Sequence, residues 1–382
     1  VDFALSSEQQ AIRDEVAEFA KRAWNEGARH RDENRLFDRG LWRAAAEMKL
    51  PGLMAPPEYG GRGLDSLSGA IALEGLGYAC VDGGMVFALA AHLLAVVVPI
   101  WKHGTEEQRR AYLPRLCDGT WIGANAMTEP GSGSDVSSIE TLAIPAGDGF
   151  RLSGTKTLIT NASVADVAIV FAVTDRQKGF HGGLTAFLMD LSTPGVVRGE
   201  AHRALSVRSC KVGELQFKDV LLSPDTVLGG VGGGSGVFGT AMNWERTCLF
   251  ATHVGAMARL LELAIKQARS RRQSGQPIGK FQSISNRIAD MKVHLEAARL
   301  MVYQAAWRLD RSKTAALDAS MAKLFASESL LQAATDVVRI YGGKGLFEDH
   351  DVERTLRDAI ASTLYSGTSD IQRNIIARWL GI

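Results

Sequence analysis

The chain has 382 residues, 46% of them apolar, which is too long for one hydrophobic core and too apolar for disorder, so two or three subdomains are expected. Its 43 basic and 42 acidic residues nearly cancel, which weighs against nucleic acid or a membrane surface as a partner. Cys80, Cys117, Cys210 and Cys248 lie far apart with no C-x-x-C pair, and the N-terminus shows no signal-peptide pattern, so a reducing cytoplasm is the expected location.

Up to about residue 120 the signals are helical. Ser6-x-x-Gln9 and Thr105-x-x-Gln108 fit capping boxes, and Ile12, Val16 and Phe19 recur at helical spacing. The most apolar stretch, Met85 to Trp101, is broken by His92 and Pro99 and is short for a membrane span, so a buried helix is expected there. From 121 to 231 short β-rich runs take over, among them Val167 to Val173 and Leu184 to Met189, punctuated by glycine at 147, 149, 182 and 183. A small antiparallel sheet or barrel fits them. After a glycine cluster at 229–239 helices return. Ile284, Ile288, Met291, Leu295, Ala298, Val302, Ala305 and Leu309 form one apolar seam, which implies packing in a bundle and no chemistry. The expected fold class is α+β, with a helical domain over 1–120, an antiparallel β-domain over 121–231 and a helical bundle over 232–382.

Two glycine-rich segments compete as ligand loops. Gly234-Ser235-Gly236-Val237-Phe238-Gly239 satisfies G-x-G-x-x-G, but no strand of a βαβ unit precedes it, so it reads as a domain connection opening a helix. Ala126-Met127-Thr128-Glu129-Pro130-Gly131-Ser132-Gly133-Ser134-Asp135 is the better candidate. Its small residues let backbone N–H groups approach a ligand, and Thr128 and Ser134 add hydroxyls. No H-E-x-x-H, G-x-S-x-G or zinc spacing occurs, so neither a metal site nor a serine hydrolase is expected.

The Thr128 to Asp135 segment resembles the T-E-P-x-x-G-S-D flavin signature of the acyl-CoA dehydrogenase family. Pro57-Glu58-Tyr59-Gly60-Gly61, Lys156 to Asn161, Gln273 to Gln282, Tyr341-Gly342-Gly343 and Gly367 to Gln372 extend the resemblance, in family order, over essentially the whole chain. It implies an N-terminal α-domain, a middle β-domain and a C-terminal four-helix bundle, with FAD between the last two, in a homotetramer. The family reaction takes an α-proton from an acyl thioester while the β-hydride passes to flavin. Many members carry the base as glutamate in Tyr-Glu-Gly-Thr, where this chain reads Tyr365-Ser366-Gly367-Thr368. Serine is too weak a base. In isovaleryl- and long-chain-type enzymes the base sits near the start of the first long bundle helix, just before an arginine, and that position here is Glu245 in Asn243-Trp244-Glu245-Arg246. A glutamate in a first helical turn also has a purely structural reading through the helix dipole, but apolar neighbours such as Leu249 would raise its pKa toward a useful value.

Carried across residue by residue, the resemblance implies that Met127, Thr128, Gly133 and Ser134 meet flavin and pyrophosphate. Leu158, Ile159 and Thr160 would cover the isoalloxazine, with a Thr368 N–H near the ring. Arg271, Gln273, Phe281 and Gln282 would reach the FAD of a neighbouring subunit, Arg271 supplying the guanidinium a pyrophosphate wants. Ser274, Ile278, Arg339, Gly343 and Asp370 complete the cofactor set. The substrate would meet Ser134, Asn243, Arg246, Tyr365, Ser366 and Gly367, the Ser366 N–H holding the thioester carbonyl. Leu158, Ser274 and Arg339 depart from the common pattern. Together with Trp244-Glu245 and the ending Ile375 to Gly381, they look similar to a branch that oxidises prolyl or small acyl groups on carrier proteins in natural-product pathways. A short branched acyl-CoA is the alternative substrate and a non-catalytic thioester-binding protein the alternative class. Electron-transferring flavoprotein or oxygen would reoxidise the flavin.

Overall fold

The computed structural model describes residues 3–312, 315–348 and 351–382. Both capping boxes form as expected: Ser6 and Gln9, and Thr105 and Gln108, exchange side-chain and backbone hydrogen bonds at their helix starts. The apolar stretch becomes the helix Gly83–His103, 89% buried over its most apolar window. Pro99 has no N–H to give the Ala95 carbonyl, and the helix widens into a π turn at Leu93–Val97. Asn125 Nδ2 donates to that freed carbonyl at 2.9 Å, which ties the helix to the sheet.

The strands are β1 (Gly123–Ala126), β2 (Leu142–Ala146), β3 (Gly149–Thr160), β4 (Val167–Val173), β5 (Leu184–Asp190), β6 (Val196–Arg198), β7 (Val212–Leu222) and β8 (Val227–Leu228). They run in the order β6-β7-β3-β2-β4-β5-β8, with β1 beside β4. The sheet is not purely antiparallel as expected. β1 pairs with β4 in parallel over four residues, and β2 meets β4 in parallel at Leu142 and Val173. A parallel partner needs a crossover, and here the Thr128 to Asp135 loop and the β2–β3 hairpin supply it instead of a helix. The loop thus leaves the end of a buried parallel strand. β4 and β5 are buried along almost their whole length.

The bundle begins with one long helix, Gly234–Ser270, followed by Gln282–Leu309, Ala315–Tyr341, Val352–Ser362 and Ser369–Trp379. The G-x-G-x-x-G segment lies on the first turns of that helix behind β8, which pairs antiparallel with β5, so no βαβ unit exists there. In the Gln282–Leu309 seam Met291, Leu295, Ala298, Val302 and Ala305 are buried. The helix Ser66–Ala79 packs tightly on the first bundle helix: a Cβ on Gly77 would stand 1.9 Å from the Thr252 carbonyl, and one on Gly255 2.1 Å from that of Glu74. Only glycine permits that approach. It sets Thr252 and His253 against the N-terminal domain.

Candidate active site

A cleft of about 900 Å³ opens between the sheet and the bundle. Its floor brings together the two segments singled out in the sequence, because the Thr157 N–H on β3 donates to the Thr128 carbonyl at 2.9 Å. A register shift between Lys156 and Ile159 bulges β3 outward, and Leu158 there adopts φ 55° and is 61% exposed. Met127, Thr128, Gly133, Ser134, Leu158, Ile159 and Thr160 all line the cleft. So do Glu245, Arg246, Tyr365, Ser366, Gly367 and Thr368 from the bundle.

Glu245 is not in a first helical turn. The helix starts at Gly234, and Glu245 opens a π-helical segment, Glu245–Leu249, in its middle. A dipole explanation for this glutamate therefore fails, and the π turn is a feature that clusters at functional sites. The residue is 8% exposed, and burial raises its carboxyl to about 7 against the lowering effects of the Ser366 hydroxyl and the Arg246 charge. Ser366 Oγ donates to Glu245 Oε2 at 2.9 Å. The base candidate and the residue standing in the usual base position thus touch across the same cleft.

The loop carrying Ser366 is held by two side chains, Arg246 and Gln372. Ser366 and Gly367 have φ of 54° and 87°, a tight left-handed turn between two bundle helices. Arg246 Nε donates to the Ser366 carbonyl at 3.0 Å, and Gln372 Nε2 donates to the carbonyls of Ser366 and Gly367 at 3.2 and 2.9 Å. Ser369 and Gln372, though spaced as S-x-x-Q, do not form a capping box. Thr368 is the cap, its hydroxyl accepting from the Ile371 N–H at 3.2 Å, which frees Gln372 to clamp the turn. No described hydrogen bond uses the Ser366 N–H.

Beneath the cofactor loop lies a buried ion pair. Lys156 Nζ reaches Glu129 Oε1 at 2.7 Å and the Met127 carbonyl at 2.9 Å. Glu129 also accepts the N–H groups of Glu140 and Thr141 at 2.7 and 3.0 Å. Burial pulls Lys156 down to about 8; it also works to raise Glu129, but the Lys156 charge and these hydrogen bonds outweigh it and hold the carboxyl low, so both groups are charged at neutral pH.

Models of the acyl-CoA dehydrogenase N-terminal, middle and C-terminal domains match residues 6–120, 124–220 and 232–381. The chain belongs to the acyl-CoA dehydrogenase family. It is 43% identical over 350 residues to an L-prolyl-[peptidyl-carrier protein] dehydrogenase of Pseudomonas fluorescens, covering 91% of this chain and 92% of that one. The crystal structure of the prolyl acyl carrier protein oxidase AnaB matches at a TM-score of 0.97 and 41% identity, over 99% of this chain and 100% of that one. The structure of PigA with FAD and proline matches at 0.97 and 38%, over 100% and 99%.

The residues of this acyl-CoA dehydrogenase cleft fit FAD. Its lining combines apolar residues, Ala91, Ala95, Met127, Ile159 and Phe238, as a flat ring system wants, with the hydroxyls of Thr128, Ser134, Ser137, Thr160 and Thr368. The Gly133 backbone is open, since a Cβ there would meet nothing within 4 Å. Four of these positions, Ala91, Ala95, Ser137 and Phe238, together with Asn125, Met242 and Arg378, were not singled out as site residues in the sequence: Asn125 sits on the short strand β1, Ser137 on a single turn, and the others on helix faces that read only as core or surface.

The remaining candidates do not line the cleft of this single chain. Asn243 is half-buried beside it, and Asp370 pairs with Arg373 at 3.0 Å. Arg271, Gln273, Ser274 and Gln282 are exposed on or beside a small hairpin, Ile278 is buried, and Phe281 packs partly on the core. Arg339 reaches Asp336 at 3.5 Å, and Gly343 is exposed. Asn243 apart, these are the nine remaining cofactor candidates, and any contact they make with FAD across a subunit boundary comes from another copy of the chain. On that arrangement Arg271→Ala is expected to weaken FAD binding by about tenfold or more, the loss of one charge-assisted phosphate contact. Titration of FAD into apo-protein measures it, and unchanged affinity removes Arg271 from the site.

Proposed function

We propose that this protein is an FAD-dependent dehydrogenase of a small acyl or aminoacyl thioester, with a prolyl-type group on a carrier protein as its substrate. The observation that carries this reading is the buried Glu245 carboxylate facing the Ser366 turn across the cleft. The prolyl-carrier relatives, near 40% identical over at least nine-tenths of the chain, support the substrate class. Bound FAD supplies the acceptor for the β-hydride. Glu245 takes the α-proton. Ser366 Oγ occupies its Oε2, and no described hydrogen bond reaches Oε1, which leaves that oxygen to attack. The thioester carbonyl meets the Ser366 N–H, held in place by Arg246 and Gln372 through the following peptide. Oxygen or an electron-transferring flavoprotein takes the electrons. A homotetramer brings Arg271 and its neighbours to a second FAD, and four free, buried cysteines are in keeping with a cytoplasmic protein.

Because Glu245 works only when ionised, flavin reduction is expected to be slow at low pH and to level off above about pH 7, falling about tenfold per unit below that. Single-turnover rates from pH 5.5 to 8.5 measure this, and a flat profile contradicts it. Mass spectrometry of a prolyl-loaded carrier after incubation tests the function itself. Loss of two or four hydrogens from the acyl group is expected. An unchanged prolyl group, with dehydrogenation of a short branched acyl-CoA instead, replaces this reading with the acyl-CoA one.

A further inference from the structure

Behind the cleft lies a second cavity of about 60 Å³. Phe87, Val207 and Tyr365 line both spaces, so the Tyr365 ring stands between them, packed on Phe87 at a centroid distance of 4.4 Å.

The hydrogen positions around Tyr365 follow from its neighbours. Thr252 Oγ1 donates its hydrogen to the Leu249 carbonyl at 2.7 Å, so toward His253 Nδ1, 3.2 Å away, that oxygen only accepts. The Leu249 carbonyl, 3.3 Å from the same nitrogen, is an acceptor as well. Nδ1 therefore carries the ring hydrogen, and in a neutral imidazole Nε2 is bare. Burial pushes His253 down to about 3, which keeps it neutral, and stacking on Phe250 at 4.5 Å fixes the ring plane. Nε2 lies 2.6 Å from Tyr365 Oη and accepts its hydrogen. Having given that hydrogen away, the Tyr365 oxygen presents only lone pairs, and no other described hydrogen bond reaches it.

We propose that Tyr365 Oη, oriented by His253, is the acceptor that recognises the ring N–H of a cyclic aminoacyl thioester held in the cleft beside Glu245, which Tyr365 also lines. The inference rests on the prolyl-type reading above and adds the group that selects for it. A site built to receive an N–H rejects an analogue that lacks one, because the fixed lone pair is left facing carbon or another lone pair.

The test compares holoenzyme reduction rates with carrier protein loaded with prolyl, cyclopentanecarbonyl or tetrahydrofuran-2-carbonyl groups. The parent is expected to prefer the prolyl group by at least about tenfold over both. Tyr365→Phe keeps the ring and should bring the prolyl-to-cyclopentanecarbonyl ratio toward one. His253→Phe keeps the stack but frees the Tyr365 hydroxyl to turn and donate, so the tetrahydrofuran group should gain on the prolyl group. A loss of structure alone would lower all three rates together without changing their ratios. A parent without preference, or a Tyr365→Phe variant that keeps the parental ratio, overturns the proposal while leaving the prolyl function standing. A parent that oxidises none of the three but does oxidise a branched acyl-CoA overturns the function and this proposal with it.

Discussion

Glu245→Gln is expected to slow flavin reduction by about 10²–10⁴-fold while FAD stays bound. Glutamine keeps the size of the side chain and can still meet the Ser366 hydroxyl, so the change removes basicity and little packing. Stability provides the control. Glu245 has a folded pKa near 7 against an ordinary value of 4.5, so between those values the folded state holds the extra proton, and stability falls as pH rises through that window. Glutamine escapes this, and above pH 7 the variant should be as stable as the parent or more so, by up to about 3 kcal/mol. Slow reduction in a protein that melts no lower than the parent assigns the loss to chemistry. Ser366→Ala keeps the backbone N–H and should cost less than about tenfold. A Glu245→Gln protein reduced at the parental rate contradicts the assignment, and a larger loss in Ser366→Ala than in Glu245→Gln moves the chemistry to the other loop.

Lys156→Met should destabilise the fold by about 3–5 kcal/mol, because it leaves the Glu129 carboxylate buried without its counter-charge. The same substitution releases the Met127 carbonyl, so the Thr128 to Ser134 loop loses its anchor and FAD should be held less firmly. Adding Glu129→Gln removes the orphaned charge and should recover part of the stability, a coupling that separates the pair from the sum of two single losses. Urea denaturation of the two single variants and the double variant measures this. A Lys156→Met protein within about 1 kcal/mol of the parent would show that Glu129 is adequately held by the Glu140 and Thr141 N–H groups alone.

Local signals carried much of the fold into view. The capping boxes and the apolar seam of the Gln282–Leu309 helix are statements about neighbours three or four residues apart, which periodicity records directly, and the Val167–Val173 strand shows as an unbroken apolar run rich in β-branched residues. Glu245 was legible for a different reason, the serine at 366 where the family places glutamate. What stayed hidden depends on contacts between distant segments. Glu129 and Lys156 are 27 positions apart and His253 and Tyr365 are 112 apart, so no window reveals either pairing. The π turn at Glu245 and the parallel β1–β4 pairing leave no periodicity of their own, since each arises from how elements pack rather than from local preference.

Anaerobic mixing of the FAD-loaded protein with prolyl-loaded carrier protein, followed by flavin absorbance, tests the central claim most directly. Rapid bleaching of the oxidised flavin band is the predicted result, with the rate lost in Glu245→Gln under the same conditions. A flavin that stays oxidised with prolyl-carrier protein, in a preparation that still binds FAD, would contradict it.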